Sequence, residues 1–365
     1  MGAGSTRPSV PRPDWMFQLI GFIILVWIAR GPAMIARLLA PFALLVVLAL
    51  PAQAQDKDVG AGLEAAEILS AVVRVRAKIL PNARSAQTLG LQREGSGVLV
   101  RDGYVATIGY LVIESETIEV TGADGKSVPA ILAGYDHASG FGLVRLLASL
   151  AGKPLLIGDS AALDERDLVL VAGHGGREAV SVVQVISRRA FSGSWEYLLE
   201  SAIWTYPAVP NWSGAPLIGP KGDFLGIGSL IVGDAAGAGV PSPGNLFVPA
   251  DLLRPILKDL IAMGRSNAPV RPWLGINAEE IRGHLMVARV SPEGPADVAG
   301  VKAGDILIGV GEEPVSTLAE FYRKVWARGA AGVEIPLRFL QGAQVKDLKL
   351  RSIDRATHFR QRQSF

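Results

Sequence analysis

Gly97-Val98-Leu99-Val100-Arg101-Asp102-Gly103-Tyr104-Val105-Ala106-Thr107 is the stretch from which the fold class is read. Two apolar, β-branched runs flank Asp102-Gly103, and the glycine supplies the positive φ that a tight hairpin turn requires. Asp124-Gly125 repeats the signal further on. Around these turns lie other short runs bounded by Gly, Pro, Asp and Asn: Val72–Val75, Thr117–Thr121, Leu143–Leu146, Leu168–Ala172, Val180–Ile186 and Leu225–Val232. Many short strands with regular turn signals predict a mostly β chain, a sandwich or barrel. The 42 glycines and 23 prolines do not suit a helical bundle. The first convincing helix is expected at Leu252 to Met263, with Leu253, Ile256, Leu257 and Leu260 along one face. Gly264 ends it, and 265–272 reads as a linker. A shorter helix is expected at Leu63 to Leu69.

Beyond the linker, 268–352 reads as a separate small domain. Strands are expected at Leu274–Asn277, Leu285–Val290, Ile306–Val310, Val333–Phe339 and Val345–Leu350, with helices at Ala296–Ala299 and Leu318–Arg328. The remainder, 353–365, is a polar, basic tail expected to carry no structure.

The chain has 365 residues, enough for two or more domains. Lys and Arg number 36 against 34 Asp and Glu, so the net charge of +2 gives no electrostatic case for a nucleic-acid partner. With no cysteine there is no disulfide, no thiolate nucleophile and no cysteine-ligated metal. His137, His174, His284 and His358 share no metal-ligand spacing, and no motif calls for a nucleotide or other cofactor.

Leu38 to Leu50 is an unbroken apolar run after Arg37, followed by Pro51-Ala52-Gln53-Ala54. A basic start, a short apolar core and an A-x-A site describe a secretory signal peptide, so 1–54 is expected to be removed after Ala54. Met34 is a plausible true start. A second apolar run, Trp15 to Ala29, is short for a membrane span. With Leu38 to Leu50 it forms the alternative, an inner-membrane anchor with the body on the periplasmic side. Either way the body lies outside the cytoplasm, and a thiol-free chain fits the periplasm.

The order of motifs resembles one family. Glu94-Gly95-Ser96-Gly97-Val98-Leu99-Val100 before Gly103-Tyr104-Val105-Ala106-Thr107 is similar to the opening barrel of HtrA (Deg) trypsin-like serine proteases. Gly158-Asp159-Ser160, Asn211-Trp212-Ser213-Gly214-Ala215-Pro216-Leu217 and Gly222-Asp223-Phe224-Leu225-Gly226-Ile227 continue the likeness in order. The run from Pro295-Ala296-Asp297 to Gly304-Asp305-Ile306-Leu307 resembles the PDZ domain that follows in that family. The resemblance implies a chymotrypsin-like double β-barrel over 60–264, with a site in the cleft between barrels, and one PDZ domain over 268–352.

Catalysis in that family needs a serine nucleophile, a histidine base and an aspartate that orients it. The resemblance carries the nucleophile to Ser213. It places Tyr110 of Thr107-Ile108-Gly109-Tyr110-Leu111-Val112 at the histidine position. Gly140 of Asp136-His137-Ala138-Ser139-Gly140-Phe141 falls at the aspartate position. The oxyanion donors would be the backbone N–H groups of Asn211 and Ser213, with Asn211 standing where the family has glycine. His137 and His174 are the histidines nearest these motifs, and neither is expected to serve as base. The bland reading of Ser213 is a turn serine retained because the bend needs small residues.

In the PDZ domain the resemblance makes Trp273-Leu274-Gly275-Ile276 the loop whose N–H groups receive a peptide's terminal carboxylate. The facing wall would be the helix carrying Leu318, Phe321, Tyr322 and Val325. The implied partners are peptides or unfolded proteins with apolar C-termini. An oligomer is not indicated, since Gln55 to Ser70 lacks the aromatic residues through which the family often trimerises. Two functions follow: a catalytically impaired, periplasmic peptide-binding or scaffold protein, or an active serine endopeptidase using Ser213 with a non-standard base.

Overall fold

The structure is a computed structural model that describes residues 65–359. The expected signal peptide and the apolar runs before it lie outside the described residues, as do the first residues of the helix expected at Leu63 to Leu69. Its remainder, 65–70, is helical. Among the described residues no helix is long and apolar enough to cross a membrane.

Strands β1 (Val72–Ile79), β2 (Gln92–Arg101), β3 (Tyr104–Ile108), β4 (Ser115–Thr121), β5 (Ser127–Tyr135) and β6 (Phe141–Leu146) close into a first barrel in the order β1-β2-β3-β6-β5-β4. The expected hairpin turns at Asp102-Gly103, pairing Val98 with Ala106 and Leu99 with Val105. In β1, Val73, Val75, Ala77 and Ile79 point inward while Arg76 and Lys78 are exposed. That alternation is what a strand half-buried on one face requires.

Strands β7 (Leu168–Ala172), β8 (Val180–Gly193), β9 (Tyr197–Tyr206), β10 (Pro216–Ile218), β11 (Phe224–Val232) and β12 (Gly244–Pro249) close a second barrel in the order β10-β11-β12-β9-β8-β7. Phe141 of the first barrel meets Phe224 of the second edge to face, with ring centroids 6.4 Å apart. One apolar core runs through both barrels. Fixing both barrels to one core fixes the residues at their junction, where the site lies.

The PDZ domain is a sheet in the order β13-β14-β15-β17-β18, built from β13 (Ile276–Ile281), β14 (His284–Val290), β15 (Ile306–Val310), β17 (Glu334–Gln341) and β18 (Gln344–Arg351). The short β16 (Glu313–Pro314) pairs with β15. The helices are α1 (Ala86–Leu89), α2 (Leu257–Met263), α3 (Pro295–Val298), α4 (Leu318–Trp326) and α5 (Arg355–His358). Helix α4 starts at Thr317, whose hydroxyl accepts the Glu320 N–H. The fold is mostly β, a trypsin-like double barrel followed by one PDZ domain.

Two expectations need correction. The helix expected at Leu252 to Met263 is a 3-10 turn at Ala250–Leu252 and an α-helix only over Leu257–Met263. Pro255 lies between them, and a proline has no N–H for a helical bond and crowds the preceding turn. The tail is also ordered as far as Phe359. Asp354 caps α5 by accepting the Ala356 N–H at 2.8 Å, and the Phe359 ring stacks on His137 at 5.5 Å.

Candidate functional site: the barrel cleft and the PDZ loop

Ser213 sits in the turn between β9 and β10. Its carbonyl accepts the Ser96 N–H at 2.8 Å, Gly214 N–H donates to Gly228 O at 2.9 Å, and Ala215 N–H donates to Trp212 O at 3.0 Å. Gly214 has φ +68, and a Cβ there would stand 2.1 Å from Ser96 O. The turn therefore needs glycine after the serine on two counts, a left-handed backbone and a backbone approach. Among the described residues no backbone carbonyl accepts the N–H of Asn211 or of Ser213. Trp212 packs against the second barrel's own core.

Tyr110 lies on the 3-10 turn Gly109–Leu111 that follows β3. Its hydroxyl is 2.8 Å from Ser213 Oγ and donates to Ser229 O at 3.1 Å. A phenol has one proton. With that proton on Ser229 O, Tyr110 accepts a hydrogen bond from the Ser213 hydroxyl. Burial pushes the phenol well above its ordinary range, against the Ser213 bond that favours ionisation, so the group stays neutral.

Beneath the turn lies Arg93, which the sequence reading did not single out. It is buried, and its guanidinium donates to Tyr110 O at 2.6 Å, Ile113 O at 3.2 Å and Ser85 Oγ at 2.7 Å. Burial lowers it to about 10, opposed by Glu114. A strand arginine ordinarily faces solvent, so nothing in the local sequence marks it.

Gly140 precedes β6 with φ +84, and its carbonyl accepts the Gly109 N–H at 2.8 Å. A Cβ added at 140 would stand 3.0 Å from Tyr197 Oη, which donates to Ser139 O at 2.5 Å. A tyrosine hydroxyl thus borders this position, and among the described residues no carboxylate reaches Tyr110 or Ser213 by a hydrogen bond. Neither candidate histidine reaches Ser213. His137 is packed edge to face on Tyr135 at 4.3 Å, and burial with nearby Arg355 lowers it well below the usual imidazole range. His174 Nδ1 is 3.0 Å from Ser96 Oγ, and its Nε2 is 3.6 Å from Glu94. Among the described residues no cluster of His, Asp or Glu is placed to hold a metal ion.

Tyr110, Trp212, Ser229 and Leu230 line a cleft of about 640 Å³ whose other wall carries Trp273, Ile276 and Arg289 of the PDZ domain. The loop expected to receive a carboxylate does hold one, from within the chain. Leu274 N–H donates to Glu196 Oε2 at 2.9 Å, while Gly275 and Ile276 N–H donate to Oε1 at 2.6 and 2.9 Å. Glu196 lies at the tip of the β8–β9 hairpin with φ +57. Burial pushes its carboxyl up to about 7, opposed by the three N–H donors and by Arg355. Ala278 N–H donates to Ser194 O at 3.2 Å. Tyr322 donates to Gly193 O at 2.6 Å and accepts from Glu196 N–H at 3.2 Å. Trp273 packs on His358 at 4.5 Å. Leu318, Phe321 and Val325 are buried in the PDZ core, which Leu198 of β9 also joins. Of the expected wall residues, Tyr322 is the one hydrogen-bonded to the segment in the groove. Glu196 was not foreseen: a lone glutamate in a hairpin has no sequence signature.

Residues 95–227 match the trypsin-like peptidase domain family and residues 272–351 match the PDZ domain family. The "Probable periplasmic serine protease do/HhoA-like" of Haemophilus influenzae is 28% identical over 70% of this chain and 57% of its own length. The "Periplasmic pH-dependent serine endoprotease DegQ" of Escherichia coli is 26% identical over 72% of this chain and 60% of its own. The chain thus spans a little over half the length of these curated relatives. Among solved structures, the HtrA-type protease AlgW with a decapeptide matches 81% of this chain and 98% of its own. The identity is 19% and the TM-score 0.50, a likeness of fold. The chain combines a trypsin-like peptidase domain with one PDZ domain.

Proposed function

We propose that this chain is an exported, HtrA-like peptide-binding or scaffold protein whose trypsin-like domain does not work as a protease. The observation that carries the reading is the 2.8 Å contact between Ser213 Oγ and the neutral phenol of Tyr110. In this proposal Tyr110 takes the place of the family's histidine and Gly140 that of its aspartate. A serine hydroxyl is a poor nucleophile until a base removes its proton. A phenol held neutral by burial cannot accept that proton at physiological pH. Loss of the base alone costs about 10⁶ in turnover in a protease of this mechanism, roughly 8 kcal/mol of barrier.

What remains useful is binding. The PDZ loop with its three aligned N–H groups suits the terminal carboxylate of a peptide, and β13 offers an edge for an added strand. The proposed partners are peptides or unfolded proteins with apolar C-termini. Periplasmic residence rests on the A-x-A site at Ala52-Gln53-Ala54 and on relatives named as periplasmic.

A second reading, an active endopeptidase, draws on the Ser213–Gly214 turn, where the N–H groups of Asn211 and Ser213 meet no backbone carbonyl among the described residues. The two are separated by exposing the chain from Gln55 onward to a serine-directed phosphonate probe. The proposal expects no labelling above a Ser213→Ala control. Labelling that Ser213→Ala abolishes favours the enzyme.

A further inference from the structure

We propose that the hairpin tip Gly193–Glu196 is an internal ligand of the PDZ groove, seated as a polypeptide C-terminus would be, and that an incoming C-terminus binds by displacing it. This rests on the reading above that the PDZ loop takes terminal carboxylates.

Four features of the geometry support it. The Glu196 carboxylate accepts three successive backbone N–H groups, the arrangement that suits a chain terminus. The segment runs antiparallel to β13, with Ser194 O paired to Ala278 N–H and Glu196 at the loop, so its direction is that of a C-terminal peptide. Tyr322 closes the other wall through hydrogen bonds to Gly193 O and Glu196 N–H. Finally, the chain leaves the groove at Glu196 with φ +57, a left-handed bend that non-glycine residues adopt at a cost. A true terminus would simply end there; here the side chain supplies the carboxylate and the backbone turns away into β9.

The competition is intramolecular, so the tip acts at an effective concentration set by its tether, in the millimolar range for short connections. A peptide whose intrinsic affinity for the open groove is micromolar then binds the whole chain much more weakly. The flanking contacts add to the latch. Arg323 pairs with Glu200, Arg84 donates to Pro292 O and pairs with Glu293, and Arg355 donates to Trp195 O at 3.0 Å. Most of these groups are exposed, and such pairs contribute little each. Glu196 is therefore the anchor.

The experiment titrates the chain from Gln55 onward with a fluorescent decapeptide ending in valine, as the free acid and as the C-terminal amide. Glu196→Ala is expected to raise free-acid affinity at least tenfold over the unaltered chain, with the amide weak on both. Glu196→Gln keeps the shape of the tip but sets an NH2, which cannot accept, against the Leu274 N–H; it should give a smaller gain in the same direction, which covers a failure of Glu196→Ala to fold. At saturating peptide, amide exchange of Glu196 in the unaltered chain should quicken as its bond to Tyr322 is lost. Equal free-acid affinity for the unaltered chain and both variants overturns the inference. Equal binding of acid and amide to Glu196→Ala, or no binding of either, overturns the underlying carboxylate reading and the inference with it.

Discussion

At the scale of the residue, the proposed loss of catalysis turns on Tyr110. Tyr110→Phe removes a hydroxyl with partners on Ser213 and Ser229, and should lower stability by about 1 kcal/mol in urea unfolding. Arg93→Ala should cost more, about 2–4 kcal/mol by the same measurement, because the Tyr110 and Ile113 carbonyls lose a buried donor. Restoring the family's groups with Tyr110→His and Gly140→Asp is expected to give at most weak activity on an unfolded substrate. A side chain at 140 must take φ +84 with its Cβ 3.0 Å from the Tyr197 hydroxyl. Asn211 and Trp212 still shape the oxyanion turn, where one donor is worth about 3 kcal/mol. Adding Asn211→Gly and Trp212→Asn should raise the rate further. Family-level turnover from the double change alone would show that the turn is not at fault. Ser213 and Tyr110, which the structure brings to 2.8 Å, stood out in the sequence because each sits in an ordered run of motifs. Arg93 and Glu196 did not, because their roles arise from partners distant in sequence.

At the scale of the element, strands announced by β-branched runs were legible, while β5, β9, β10 and β12 were not marked out. In β9, Glu200 and Ser201 break the apolar run of Tyr197–Leu199 from that of Ala202–Trp204, so no period stands out. The β8–β9 hairpin carries a pH dependence. Glu196 is held at about 7 against an ordinary 4.5, chiefly by burial, so the docked hairpin binds its proton more tightly than the undocked one. Arg355 from α5 opposes this, and Tyr322 from α4 stays neutral because burial pushes its phenol far up. Between about pH 4.5 and 7 the docked form therefore gains as pH falls and weakens as pH rises, by at most about tenfold per pH unit. Free-acid peptide affinity for the whole chain should increase from pH 5 to pH 8, and Glu196→Gln should flatten that slope. An equal slope in both chains would remove Glu196 from the effect.

At the scale of the whole molecule, the ordered tail belongs to the latch. Arg355 holds Trp195 O, His358 packs on Trp273, and Phe359 covers His137. Ending the chain at Ser352 should lower the thermal midpoint and raise free-acid peptide affinity, as a calorimetric scan and a titration would show. The tail looked unstructured in the sequence because polar, basic residues carry no periodicity; its order comes from contacts with two other domains. The central claim is the proposed one, that this chain binds peptides without cleaving them. It is tested most directly by incubating the chain from Gln55 onward, purified free of host proteases, with an unfolded protein substrate, beside its Ser213→Ala variant. The account predicts that the two leave the substrate equally intact. Cleavage by the unaltered chain that disappears in Ser213→Ala would contradict it.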